Sequence, residues 1–192
     1  MRIVSIWSPK GGVGKTTLTA HLADCLSIEH NQKVLAYDGD PQLALYHSSK
    51  QGGFTFDVTD KYPESQPECD FFLVDFRPTI KLTNKEKSIL ANSHHVIVPV
   101  RASRLDLDSV KAVKDIVDPQ KIIDVLSCYD KRIGDQKAVR TELAKDFELI
   151  SYLSIYARAL NDFKTIYTRK NSNLHGIAKA KLEVGKIAQR LI

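Results

Sequence analysis

Cysteine is scarce in this 192-residue chain: Cys25, Cys69 and Cys128 are the only three. They stand far apart and form no C-x-x-C, which excludes the common zinc and dithiol spacings. Isolated reduced thiols are expected. Long apolar runs are missing too, and none approaches the ~20 residues that cross a bilayer. The run Met1 to Trp7 lacks the h-region and cleavage site of a signal peptide, so the cytoplasm is the expected location. No internal repeat or low-complexity stretch is present. Acidic residues thin out toward the end. The net charge is +5, yet residues 1–103 are balanced, and residues 149–192 carry eight basic side chains against Asp162 and Glu183. A cationic last third fits a polyanion such as DNA or anionic lipid, or a solvated charged face.

Apolar β-branched runs alternate with amphipathic ones. Residues 2–7, 33–37, 70–75, 96–100 and 122–127 read as strands, with 149–153 a possible last one. Residues 16–27, 84–92, 106–117 and 136–147 read as helices. Continuous rather than alternating apolar strands are buried on both faces. The fold class is therefore α/β: a mostly parallel twisted sheet with helices on both faces, joined by right-handed crossovers. Residues 51–69 read as a loop with at most one short strand. No domain boundary is visible, so residues 1–192 form one domain. Residues 176–192 have helical spacing with lysines between the apolar positions. That pattern suits a terminal helix packed on the sheet or a basic helix on a membrane, and Gly185 within it lowers helix stability by about 1 kcal/mol.

Ser8 to Thr17, S-P-K-G-G-V-G-K-T-T, follows a strand and opens a helix. This is the context a phosphate-binding loop requires. Gly11, Gly12 and Gly14 allow the tight turn that lets backbone N–H groups, Val13 and Thr17 included, surround a phosphate. The helix N-terminus adds positive potential there. Lys15 can reach β- and γ-phosphates, and the Thr16 hydroxyl can bind Mg²⁺. Pro9 replaces the first glycine of the ordinary pattern, and a second lysine, Lys10, opens the loop. Two further strings follow: V-L-A-Y-D-G-D-P-Q, with Asp38 and Asp40, and F-F-L-V-D, ending on Asp75.

The loop K-G-G-V-G-K-T resembles the deviant phosphate loop of the ParA/MinD ATPases. The D-G-D-P-Q string, the F-F-L-V-D strand, Val96 to Ser103 and Val125 to Arg132 are similar to later segments of that family. The resemblance implies a P-loop NTPase fold, ATP and Mg²⁺ as ligands, and an ATP-dependent homodimer. It implies that Lys10 reaches the partner's nucleotide, so Lys10, Lys15 and Asp40 form the catalytic set, with Asp40 orienting water. It assigns Thr16, Asp38 and Asp75 to the Mg²⁺ region; in the family, the loop of the segment matching Val125 to Arg132 often contributes to the adenine pocket. The family usually continues the Asp75 strand with T-P-P; here Phe76-Arg77-Pro78 stand instead, which leaves Arg77 without an assigned role.

Small plasmid-partition members are the nearest in pattern. They imply slow, partner-stimulated hydrolysis, non-specific DNA binding, a ParB-like adaptor and nucleoid association in the ATP state. Lys164, Arg169, Lys170, Lys179, Lys181, Lys186 and Arg190 are the candidate DNA contacts. The sequence opens directly on a strand, so an operator-reading helix-turn-helix is not expected. A MinD-like membrane cycle is the alternative, though no stable membrane association is expected. The six histidines are read as structural or exposed, and Trp7 as core.

Overall fold

The computed structural model describes residues 1–103, 106, 113–142, 147–169 and 175–192. Among the described residues, seven strands form one sheet: β1 (Arg2–Ile6), β2 (Val34–Gly39), β3 (Asp57–Thr59), β4 (Phe71–Phe76), β5 (His95–Arg101), β6 (Ile122–Tyr129) and β7 (Glu148–Ser151). Their order is β3-β2-β4-β1-β5-β6-β7, and every pairing is parallel. The expected mostly parallel sheet is thus wholly parallel. β1 lies at its centre, between β4 and β5.

The strands are continuous apolar runs because both faces are covered. In β4 all six residues are buried. Leu73 joins the core that holds Val4, Ile6 and Ile97, whereas Phe72 and Val74 join the opposite core with Val96 and Val98. On the first face lie α1 (Lys15–Asp24), α5 (Ser154–Asn161) and α6 (Ile177–Gln189). On the second, Ile89 and Leu90 of α3 (Asn84–Asn92) and Val139 of α4 (Gly134–Glu142) are buried. A short α2 (Ala44–Ser49) follows β2 and buries Leu45.

The sequence expectations hold for β1, β2, β4, β5, β6, β7, α1 and α3 within a few residues. α1 continues into a π-helical turn, Cys25–Glu29. α4 is described over Gly134–Glu142, two residues earlier in its start than the helix expected over 136–147, whose residues 143–146 lie outside the described residues. The helix expected over 106–117 lies mostly outside the described residues. α2 and α5 were not anticipated.

Local chemistry fixes the helix ends. Thr83 Oγ1 accepts from the Glu86 N–H at 3.2 Å and Glu86 accepts from the Thr83 N–H at 2.6 Å, a reciprocal cap for α3. α1 is so deeply set that Thr19, His21 and Asp24 are fully buried. Their polar atoms tie distant loops together. Asp24 accepts from the Thr55 N–H at 2.9 Å and from the Thr165 hydroxyl at 2.5 Å, and His21 Nδ1 accepts from the Ile166 N–H at 3.2 Å.

The closing helix α6 packs against α1 and β7, burying Ile177, Ala180, Val184, Ile187 and Ala188. Its Glu183 accepts from Ser151 N–H at 2.9 Å and Ser151 Oγ at 2.6 Å. Of the two readings of this segment, the packed helix is observed. Among the described residues, no helix is long and apolar enough to cross a membrane.

Candidate phosphate-binding site

β1 ends at Ile6 and α1 begins at Lys15, so residues 7–14 turn within one short loop at the C-terminal edge of the central strand. Gly12 and Gly14 have φ of 68° and 88°, the left-handed region where a side chain is strained. Among the described residues, no backbone carbonyl outside α1 accepts from the N–H groups of Gly12, Val13, Gly14 or Lys15. Unpaired, convergent donors at a helix start are what an anion needs.

Lys15 is nearly buried, and its Nζ donates to the Lys10 carbonyl at 3.1 Å. Burial lowers its pKa, against the pull of Asp75 and Asp40. Lys10 opens the same loop. Its ammonium pairs with the Asp106 carboxylate, while about half of its side chain stays exposed.

Three carboxylates face this loop from the neighbouring strands. Asp38 is buried and accepts from the N–H groups of Asp40 at 3.2 Å and Tyr46 at 3.0 Å, which shapes the turn into α2. Its pKa is raised, chiefly by burial. Asp40 accepts from the Gln42 N–H at 3.0 Å. Asp75 is fully buried, and neither oxygen meets a donor at hydrogen-bond geometry among the described residues. Burial pushes its pKa up to about 7; Asp38 and Asp40 add to the rise, and the nearby Thr16 hydroxyl and Lys15 oppose it.

A buried carboxyl without a donor is costly, and a divalent cation beside it removes the penalty. The donor set fits Mg²⁺, which keeps several waters and takes one or two carboxylates plus phosphate oxygens. Among the described residues, no group of three or more His, Cys, Asp or Glu could cage a metal alone. Thr16 and Asp38 both lie near enough to Asp75 to act on its carboxyl.

Other neighbours had no role in that reading. Arg101, closing β5, donates to the Gly12 carbonyl. Ser127 Oγ on β6 lies 2.7 Å from the Val13 carbonyl. Both sit inside segments marked by the resemblance, yet nothing local in the sequence signals a contact across 89 or 114 residues. Arg77 is committed elsewhere: Nε and Nη2 grip the two Glu86 oxygens at 2.8 and 3.2 Å. Trp7 is fully buried, and its Nε1 donates to Thr79 O at 3.0 Å. Beside the loop a mainly apolar cavity of about 140 Å³ opens between Gly14, Thr17, Cys128, Tyr152 and Leu153. Ser127 is also among its lining residues.

The basic C-terminal residues are less available than their count suggests. Arg169 pairs with Asp162 at 3.0 Å, Lys181 with Glu29 at 3.5 Å, Arg190 with Glu148 at 3.4 Å and Lys179 with Glu183 at 3.6 Å. Among the described residues, Lys164 and Lys186 have no such partner. Lys170 lies outside the described residues.

A wholly parallel sheet with a glycine-turned, lysine-bearing loop at its central strand defines a P-loop nucleotide-binding domain. Residues 4–164 match the CobQ/CobB/MinD/ParA nucleotide binding domain family, CbiA, and the chain belongs to that family. Among solved structures, a plasmid partition protein from Borrelia burgdorferi bound to AMPPNP is similar at 20% identity and a TM-score of 0.75, covering 100% of this chain and 99% of that one. The cell division ATPase MinD of Pyrococcus furiosus is similar at 21% identity and a TM-score of 0.69, covering 100% and 99%. Cyanothece McdA, as its D38A–ATP complex, is similar at 17% identity and a TM-score of 0.65, covering 100% and 97%. These likenesses carry the fold. No curated protein matches the chain by sequence.

Proposed function

We propose that this chain is a ParA-type ATPase: an ATP-dependent dimerisation switch that binds DNA without sequence preference and positions a plasmid, chromosome or protein cargo. The observation that carries the proposal is the pair of lysines on one loop: Lys15 lies within electrostatic reach of Asp75 and Asp40, and Lys10 is held beside Asp106. Lys15 and the loop N–H groups hold the β- and γ-phosphates. Thr16 coordinates Mg²⁺, with Asp38 and Asp75 supporting its shell. Bound Mg²⁺ neutralises charge on the phosphate oxygens. Asp40 accepts a hydrogen bond from the attacking water and orients it. Lys10 leaves Asp106 and reaches the partner's nucleotide, so hydrolysis depends on dimerisation. Hydrolysis is slow until a ParB-like or other adaptor protein binds.

Plasmid partition is the role named for the Borrelia neighbour, and this chain covers it end to end. The alternative, a MinD-like membrane cycle, is disfavoured because the apolar face of α6 is already used in the core. The test is binding of the purified protein to random duplex DNA and to anionic vesicles, with ADP, with ATP and with neither. Salt-sensitive DNA binding only with ATP supports the proposal. Vesicle binding without DNA binding replaces it with the membrane cycle.

A further inference from the structure

Two carbonyls of the phosphate loop are held from behind by side chains that come from the far half of the chain. The Arg101 guanidinium donates to Gly12 O. Ser127 Oγ lies 2.7 Å from Val13 O and 3.2 Å from Val100 O, so its single proton goes to the nearer oxygen. Arg101 and Ser127 are register partners on β5 and β6. They therefore rise from one rung of the sheet to two consecutive peptides of the loop.

A trans peptide is planar, and its C=O and N–H point in opposite directions. A donor fixed on Gly12 O therefore sets the Val13 N–H on the other side of that plane. A donor fixed on Val13 O does the same for the Gly14 N–H. Neither N–H has a carbonyl acceptor among the described residues. The approach is close: a Cβ on Gly12 would stand 3.1 Å from Arg101 Nη2, so this glycine makes room for the arginine as well as for the turn.

We infer that Arg101 and Ser127 are positioning residues of the phosphate loop, locking the Gly12–Val13 and Val13–Gly14 peptides so that two N–H groups converge on a bound phosphate. The inference rests on reading the loop as a phosphate cradle and deepens it. It does not depend on DNA binding or dimerisation. Preorganised dipoles bind an anion better than a loop that must order itself first.

The experiment measures affinity of the full-length chain for a fluorescent ADP. The variants are Arg101→Ala, Arg101→Lys, Ser127→Ala and Ser127→Thr. Arg101→Ala and Ser127→Ala should each weaken ADP binding about tenfold. Arg101→Lys and Ser127→Thr, which keep a donor, should recover most of the loss. The exposed Arg101→Ala should leave the thermal midpoint unchanged, separating positioning from general stability. Wild-type ADP affinity in Arg101→Ala and Ser127→Ala overturns the inference. So does a loss confined to ATP-driven dimerisation, which would make Arg101 an interface residue. If the wild type itself bound no ADP, the cradle reading and this inference would fall together.

Discussion

Asp38 and Asp75 occupy the same rung of the sheet, paired in register across β2 and β4. Both are buried and both have raised pKa values, with Asp38 among the causes of the Asp75 shift. Two carboxylates so placed work against the fold and in favour of a cation.

Asp75→Asn should accordingly stabilise the nucleotide-free protein while weakening Mg²⁺-dependent nucleotide binding. A gain of about 1 kcal/mol, or roughly 3 °C in Tm, is expected from removing the buried acid. Scanning calorimetry and a Mg²⁺ titration of nucleotide binding read the two effects. A loss of stability without nucleotide would contradict this account.

The two lysines and Asp40 should separate by step. Lys15→Ala should abolish nucleotide binding. Lys10→Ala should keep binding but lose ATP-driven dimers by light scattering. Asp40→Ala should keep the ATP dimer and lose at least about a hundredfold in hydrolysis. A wild-type rate in Asp40→Ala would remove Asp40 from the water-orienting role.

Gly52 and Gly53 form a controlled comparison. A Cβ on Gly53 would lie 1.7 Å from the Phe163 carbonyl oxygen, whereas one on Gly52, at φ 72°, meets nothing within 4 Å. Gly53→Ala should cost about 3 kcal/mol through displaced backbone. Gly52→Ala should cost about 1 kcal/mol from the left-handed conformation alone. Urea unfolding with unchanged m-values would report both.

His21 sets a pH dependence. Burial lowers its pKa from 6.5 to about 4, with the Tyr156 backbone opposing. The unfolded chain therefore takes a proton that the folded chain refuses. Stability from this site is present above pH 6.5 and is lost as pH falls toward 4, by up to about 3 kcal/mol. His21→Asn, which keeps an acceptor for the Ile166 N–H, should flatten that part of the acid limb. An unchanged acid limb would mean that His21 is not the group responsible.

The strands were legible because burial on both faces writes itself as unbroken apolar runs, as in Phe71 to Val74. The phosphate loop was legible because its backbone geometry constrains residues next to one another in sequence, and Asp38 and Asp75 because each ends an apolar strand run. α2 and α5 were not, since each is short, and six or eight residues give little periodicity to read. Arg101, Ser127 and Asp106 were missed for another reason. Their partners are Gly12, Val13 and Lys10, and only the order of the strands brings them within reach. Four of the seven candidate cations of the basic tail meet carboxylates in the fold, a pairing that the residue count alone does not show.

With β1 in the middle of the sheet, the loop inherits one kind of neighbour from each side. β2 and β4 bring the acids Asp38 and Asp75; β5 and β6 bring the donors Arg101 and Ser127. The loop is thus a keystone between an electronegative and an electropositive flank, and neither flank is local to it in the chain. Nucleotide affinity then becomes a gauge of how completely the sheet has zipped from β2 to β6. A lesion as distant as Ser127 should register at the phosphates before it registers in the helices.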